Sequence, residues 1–331
     1  MKAVVVTKLG GDDLLEVREL PDPEPGEGEV VVRLKAAGIN PVDAKQRQHG
    51  LRGGGELPAV LGCDGAGVVA KLGRGARRFK EGDEVYFCYG GLGGRGGCYA
   101  ELAPVPEGSL ARKPRALSFA EAAAAPLVLL TAWEALHDRL EIAKGSRLLI
   151  LGGTGGVGHV AIQLAKNAGL QVCVTAGSEE KAAFARSLGA EEVLRYDQVD
   201  VVAEAVRWSG EAGVDYLLAT VSGPLLGSAL DVLRPYGKAA SILAPSEPFP
   251  WAVMSKKNLG IFLELMLTPQ VLKLDSALDH QREILERCAA LFDKGKLTIR
   301  VAQVLPLDQA REAHRQIETA TTMGKIVLEI A

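Results

Sequence analysis

The chain has 331 residues, 47% hydrophobic and 24% charged, with a formal net charge of −3. That length favours two domains over one core. The small negative charge implies no basic face, which argues against nucleic acid as a partner. No run reaches the roughly 18 uncharged apolar residues of a membrane span, and the most apolar stretch, Ala122 to Ala132, contains Pro126. The N-terminus reads as a first strand rather than a signal peptide, so the expected location is the cytoplasm. Cys63, Cys88, Cys98, Cys173 and Cys288 are scattered and odd in number, as expected of free thiols in a reducing compartment.

Residues 1 to about 120 are rich in Gly and Pro, with short Val-rich runs at Met1–Thr7, Glu29–Ala37 and Gly65–Leu72. Pro21-Asp22-Pro23, Pro25-Gly26 and Glu81-Gly82-Asp83 punctuate them, predicting a barrel-like β domain. Beyond that, strands alternate with helices. Strands are predicted at Arg147–Leu151, Gln171–Thr175, Glu192–Arg195, Val214–Ala219 and Lys238–Leu243. Helices follow Gly158 and occupy Glu179–Leu188, Val199–Trp208 and Pro224–Leu233. This alternation calls for a parallel sheet covered on both faces, with Asn258–Leu267 as a last strand. The tail reads as helix His280–Lys294, strand Val301–Leu305, helix Leu307–Glu318 and strand Lys325–Ile330. It is expected to return to the first domain.

The strongest local signal is Leu148-Leu149-Ile150-Leu151-Gly152-Gly153-Thr154-Gly155-Gly156-Val157-Gly158. It holds G-x-G-x-x-G at Gly153, Gly155 and Gly158, after a strand and opening a helix. The first glycine permits a tight turn, the second lets a pyrophosphate approach the backbone, and the third lets helix and strand pack closely. The helix start adds free N–H groups and a partial positive charge. Gly153, Thr154, Gly155, Gly156, Val157 and Gly158 are therefore candidate cofactor contacts. An NAD enzyme usually carries Asp or Glu at the end of the next strand; here that place is Ala176. Ser178 and Lys181 lie just beyond and suit a 2′-phosphate, which points to NADPH. Glu179 and Glu180 oppose that charge, although acidic residues are also ordinary in a first helical turn. Tyr196 is a further candidate contact.

These stations, together with Ala36-Ala37-Gly38-Ile39-Asn40-Pro41-Val42-Asp43, Pro58–Val69, Phe79–Val85, Leu130–Leu136 and Gly324–Leu328, resemble the medium-chain dehydrogenase/reductase superfamily over nearly the whole length. Within it the chain resembles the zinc-free, zeta-crystallin-like quinone oxidoreductases. The resemblance implies an α/β protein with a GroES-like β-barrel catalytic domain (1–122 and 270–331) and a Rossmann doubly wound domain (123–269). It also implies a homodimer. Zinc-dependent relatives carry Cys where this chain has Asn40 and a His-Glu pair where it has Cys63-Asp64. Their four-cysteine lobe is missing, leaving Cys88 and Cys98 nearby, so no metal is expected. Without zinc to polarise a carbonyl, the expected acceptor is already electron-poor: a quinone or an α,β-unsaturated carbonyl. Close alternatives are an enoyl-thioester or alkenal reductase, or a non-enzymatic NADPH-binding protein.

Asn40 is the first candidate at the nicotinamide, since its amide both donates and accepts; an Asx-turn before Pro41 explains it equally. Thr131 and Lys325 are cofactor contacts that the resemblance implies. Leu243 and Ala244, at the carboxyl end of a Rossmann strand, are expected beside the nicotinamide. The proton donor is open. Many relatives have Tyr where this chain has Lys45. Lys45, Arg47 and His49 read either as a polar cluster for an oxyanion or as a solvated loop, and Tyr86 and Tyr89 are further candidates. Gly90–Gly97 holds six glycines around Leu92 and Arg95. It reads as a mobile loop over the acceptor or as the flexible remnant of the zinc lobe.

Overall fold

The computed structural model describes residues 1–331 except 95, 211, 222–224, 245–248 and 320. The chain folds as two compact units, Met1–Leu127 with Leu267–Ala331, and Val128–Met266. The sequence placed these crossings at 122 and 270. The short helix at 119–124 packs on strands of the first unit, which carries that boundary outward.

In chain order the first unit opens with β1 (Lys2–Val6), β2 (Leu15–Glu19), β3 (Glu29–Gly38) and helix α1 (Pro41–His49). Then come β4 (Ala59–Val60), β5 (Asp64–Leu72), β6 (Glu84–Cys88), β7 (Leu102–Pro106), β8 (Leu110–Arg112) and α2 (Phe119–Ala124). Helix α3 (Pro126–Trp133) continues as a π-helical turn over Glu134–Arg139. The second unit holds β9 (Arg147–Leu151), α4 (Gly156–Asn167), β10 (Gln171–Ala176), α5 (Glu179–Ser187) and β11 (Glu192–Arg195). It continues with α6 (Val201–Ser209), β12 (Val214–Ala219), α7 (Leu225–Ala229), β13 (Leu233–Ser241), α8 (Trp251–Lys257) and β14 (Gly260–Leu263). The chain then returns through α9 (Thr268–Val271), α10 (Asp275–Asp293), β15 (Val301–Pro306), α11 (Ala310–Glu318) and β16 (Lys325–Glu329).

The first unit has a sheet in the order β15-β16-β3-β5-β6-β8, with β7 also on β3, and a smaller sheet β2-β1-β4. β3 is its spine, buried along most of its length, and antiparallel to β5, β7 and β16. This register brings Gly38 opposite both Asp64 and Val327. The chemistry-bearing segments that follow β3 and precede β5 therefore meet the start of β16. α1 begins with Pro at its first turn, where the missing N–H removes no helical bond.

The second unit is a parallel sheet ordered β11-β10-β9-β12-β13-β14, the doubly wound order with its first strand at the switch point. Leu148, Leu149, Ile150 and Leu151 are all fully buried. A central parallel strand is covered on both faces, so its sequence shows a run rather than an alternation. Each such side chain contributes about 1.5–3 kcal/mol by leaving water. Several expected elements differ in extent, and the last strand, expected at Asn258–Leu267, is only Gly260–Leu263. The helix expected at 224–233 is α7 plus a 3-10 turn over Leu230–Val232, with Pro224 outside the described residues. The strand expected from 238 begins at Leu233, ahead of a turn with Tyr236 at φ 63° and a register shift between Val214 and Tyr216.

Candidate functional site

In the second unit, β9 runs into the glycine turn and α4 begins at Gly156. Gly155 occupies the cap position and has no side chain to cap with. The helix's first N–H groups also have no intrahelical acceptor. A Cβ added at Gly155 would meet nothing within 4 Å, whereas one at Gly158 would fall 2.0 Å from Gly152 O. Gly158 thus permits helix and strand to pack, and Gly155 leaves an open approach to the helix start. Thr175 holds the turn from β10: its hydroxyl accepts Gly152 N–H at 2.9 Å and its carbonyl accepts Gly153 N–H at 3.2 Å. Thr154 and Val157 are buried parts of the same turn.

At the end of β10, Ala176 is buried and pairs in register with Arg195. Ser178 caps α5, its hydroxyl accepting Lys181 N–H at 3.2 Å. Lys181 is half-buried in the first turn of α5. Tyr196 is 56% exposed, and its hydroxyl lies 2.1 Å from where a Gly177 Cβ would be, so the ring covers that backbone. Glu179 is neutralised: Arg186 lies 2.9 Å away and Arg195 3.2 Å away, and Arg186 foremost holds its carboxyl below the usual range. The repulsion expected from this residue is thereby reduced. Arg195, which sequence reasoning passed over, reaches both Glu179 and Asp197. Leu243 follows β13, its carbonyl accepting from the Ser241 hydroxyl at 2.7 Å, and Ala244 is exposed beside it. Thr131 is buried on α3.

The first unit holds a different arrangement, fully buried and ionic. Asn40 is 1% exposed. Its amide nitrogen donates to Asp64 Oδ2 at 2.9 Å and its amide oxygen accepts from Lys325 Nζ. The Lys325 ammonium also donates to Ile39 O at 2.8 Å and lies 3.6 Å from Asp64 Oδ2. The other Asp64 oxygen accepts Leu127 N–H at 2.8 Å. Asp43 is wholly buried, accepting Asn40 N–H at 2.9 Å and the Tyr99 hydroxyl at 2.8 Å. Burial pushes the Asp43 carboxyl up to about 7. Burial likewise raises Asp64 and lowers Lys325, each resisted by the opposite charge of the other. Both polar atoms of Asn40 are thus engaged inside the unit.

Four expectations change here. Tyr86 is fully buried and donates to Leu285 O at 2.5 Å, so it is a core residue tied to α10 rather than a proton donor at a site. Lys45, Arg47 and His49 do not cluster: Lys45 and His49 are exposed, while Arg47 turns inward to His314, Gly10 O and Glu318. A helix repeats every 3.6 residues, which sends neighbours two apart to different faces. Lys325, expected at the cofactor, spends its ammonium on Ile39, Asn40 and Asp64. The loop after β6 is braced rather than loose: Gly53 N–H donates to Leu92 O at 2.7 Å, Gln46 to Gly91 O at 3.0 Å and Gln270 to Gly90 O at 3.3 Å. Arg95 lies outside the described residues.

Comparison with known proteins finds a family match in each unit. Residues 26–115 match the family described as "Alcohol dehydrogenase GroES-like domain", and residues 188–328 match "Zinc-binding dehydrogenase". A "Quinone oxidoreductase" of Pseudomonas aeruginosa is 31% identical, covering 99% of each chain. The "NADPH-dependent alkenal/one oxidoreductase, chloroplastic" of Arabidopsis thaliana is 37% identical over 76% of this chain and 74% of its own. The crystal structure of Escherichia coli quinone oxidoreductase complexed with NADPH aligns at TM-score 0.87 and 28% identity, covering 100% of both chains. The chain belongs to the medium-chain dehydrogenase/reductase superfamily, in its quinone-oxidoreductase-like branch.

One matched family description carries zinc. Among the described residues, no group of three or more His, Cys, Asp or Glu side chains is arranged to hold a metal. The Lys325 ammonium lies against Asn40 and Asp64. Cys63 is a fully buried thiol: its contact with Cys88 lowers it, but burial and the Asp43 and Asp64 charges together leave it raised. Among the described residues no helix is long and apolar enough to cross a membrane. All five cysteines are buried free thiols.

Sequence reasoning missed Asp43, Tyr99 and His314. Only Asp43 had a local signal, as an acid at the third position of a helix that begins after Asn40. Tyr99 and His314 come from distant segments and carry no motif.

Proposed function

We propose that the chain is an NADPH-dependent reductase that works without zinc and passes hydride to an electron-poor acceptor, a quinone or an α,β-unsaturated carbonyl. The observation that carries the cofactor part is the uncapped start of α4 with open space at Gly155. Such an end binds phosphate through backbone N–H groups and the helix dipole. Residues present fit the group: Gly155 and Gly156 admit the pyrophosphate, and Ser178, Lys181 and Tyr196 surround the end of β10, where Ala176 leaves no acid for a free ribose hydroxyl. NADPH, when bound, supplies the hydride. The zinc-free part is supported by the donor set around Asn40, which already contains its own cation. Without a Lewis acid the chain's task is to hold the reactants close and aligned. Homodimeric assembly belongs to the same proposal and is checked by light scattering on the purified chain.

Steady-state NADPH oxidation with 1,2-naphthoquinone, 9,10-phenanthrenequinone, 2-alkenals and crotonyl thioesters tests the reading. Turnover of quinones or alkenals by protein free of bound metal is the expected result. The Arabidopsis relative's name favours the alkenal arm, and preference for the thioester would move the assignment to an enoyl-thioester reductase. Tight NADPH binding with no turnover of any acceptor would favour a non-enzymatic role. For cofactor choice, Lys181→Ala is expected to weaken NADPH about tenfold, the loss of one charge-assisted contact, with NADH little changed. An unaltered preference would remove Lys181 from the 2′-phosphate site.

A further inference from the structure

In the first unit, polar side chains from distant segments form one buried line. Arg47 on α1 donates from Nε to His314 Nδ1 on α11 at 3.3 Å. His314 Nε2 lies 3.3 Å from the Tyr99 hydroxyl, and Tyr99 donates to Asp43 Oδ2 at 2.8 Å. The same Asp43 oxygen accepts the Asn40 backbone N–H. The direction of each bond follows from the groups. A guanidinium has no acceptor, so His314 Nδ1 must accept. A neutral imidazole then carries its proton on Nε2, pointing at the Tyr99 oxygen, and the Tyr99 proton is left for Asp43. Every bond runs inward to one carboxyl oxygen, Asp43 Oδ2. Burial foremost, and the Arg47 charge with it, push His314 down to about 3, which agrees with a neutral ring. Asn40 is thus held from two sides: its backbone through this line, its amide by Asp64 and Lys325.

We propose that Tyr99 and His314 are positioning residues for Asn40, acting through Asp43 in a one-way line of hydrogen bonds that fixes His314 as the neutral Nε2–H tautomer. The proposal rests on the function above together with the sequence expectation that Asn40 stands at the nicotinamide. Packing alone is a weaker account. Tyr99 and His314 do meet edge to face at 5.7 Å, but that contact needs only the rings and leaves the polar sequence from Arg47 to Asp43 unexplained. Tyr99→Phe keeps the ring and removes the hydroxyl, which separates the two roles.

The test uses the full chain. In wild-type protein, ¹⁵N NMR is expected to show His314 as the Nε2–H tautomer, unchanged from about pH 5 to 9; an Nδ1–H ring or an imidazolium in that range overturns the line of bonds. In Tyr99→Phe, hydrogen exchange at the Asn40 amide is expected to speed at least about tenfold, because its acceptor is no longer held. kcat at saturating acceptor is expected to fall about 10- to 100-fold with the NADPH dissociation constant within about twofold. Unchanged Asn40 exchange and unchanged kcat would overturn the positioning role. If the wild type reduces no acceptor, the proposed function fails while the tautomer and exchange measurements still decide this inference. If Tyr99→Phe does not fold, His314→Gln is measured the same way, and the wild-type tautomer stands as an independent test.

Discussion

The glycine turn of the second unit and the Asn40 cluster of the first solve the problem of holding a polar group in different ways. The turn is local: β9, the four residues 152–155 and the first turn of α4 supply it, and what sets it apart is the missing cap at Gly155. The cluster is assembled from five regions, at 39–43, 63–64, 99, 314 and 325, and almost every polar atom in it has a partner. An open helix end is ready to receive a charge, whereas a closed set of charges supports a shape. The difference predicts that a substitution at the open helix end, Gly155, acts on binding, and that one which strands a buried charge in the cluster acts on stability.

Lys325→Met should break this comparison hardest. It leaves Asp64 and Asp43 buried without their cation, and removing one partner of a buried pair costs about 3–5 kcal/mol. Urea unfolding should show that loss. Lys325→Met combined with Asp64→Asn should recover part of it, because the second change removes the stranded charge. A single variant as stable as the wild type would mean that the cluster carries no charge to be balanced.

The turn should respond in the opposite manner. Gly155→Ala places its methyl in open space at φ −74°, so the melting temperature should hold. NADPH affinity, measured by nucleotide fluorescence, should fall about 100-fold, or about 2.7 kcal/mol, since the methyl occupies the approach to the helix start. Gly158→Ala drives its methyl against Gly152 O and should lose about 1–3 kcal/mol of stability as overpacking. Equal affinity in Gly155→Ala and wild type would remove this turn as the phosphate site.

Legibility in the sequence followed the same divide. Arg147–Leu151 and Val214–Ala219 are strands at the residues where apolar runs between turn signals placed them, because a central parallel strand writes its burial into consecutive residues; Glu192–Arg195, at the sheet's edge, is also a strand at its expected residues. The glycine turn was legible because its chemistry is contiguous. In the first unit, Asn40, Asp64 and Lys325 were each singled out, but as separate candidates. Nothing local says that Lys325 turns inward, since a lysine starting a strand is compatible with either face. Arg47 looked like a neighbour of Lys45 until helix geometry sent it to His314. Tyr99 and His314 are paired across 215 positions, and a contact of that span leaves no periodicity to read.

The smallest effect tests the cluster through two titrations that oppose one another. Asp43 is raised from 3.8 to about 7 by burial, and His314 is lowered from 6.5 to about 3 by burial and by Arg47. Between about pH 4 and 7 the folded chain holds a proton on Asp43 that the unfolded chain has released, so that contribution is full below the unfolded value and is lost as pH rises through about 7. Between about pH 3 and 6.5 the unfolded chain holds a proton on His314 that the folded chain refuses, so that contribution is full above 6.5 and is lost as pH falls toward 3. Over about pH 4 to 6.5 the two slopes carry one proton each with opposite sign and cancel. Removing either group exposes the other. Asp43→Asn should lose stability relative to wild type as pH falls from 6.5 to 4.5, by up to about 1.4 kcal/mol per unit, and His314→Gln should gain on the same scale. Urea unfolding at three pH values measures both. Parallel profiles for the wild type and both variants would mean that the two groups titrate alike in the folded and unfolded chain, and that the line from Arg47 to Asp43 does not hold their protons apart.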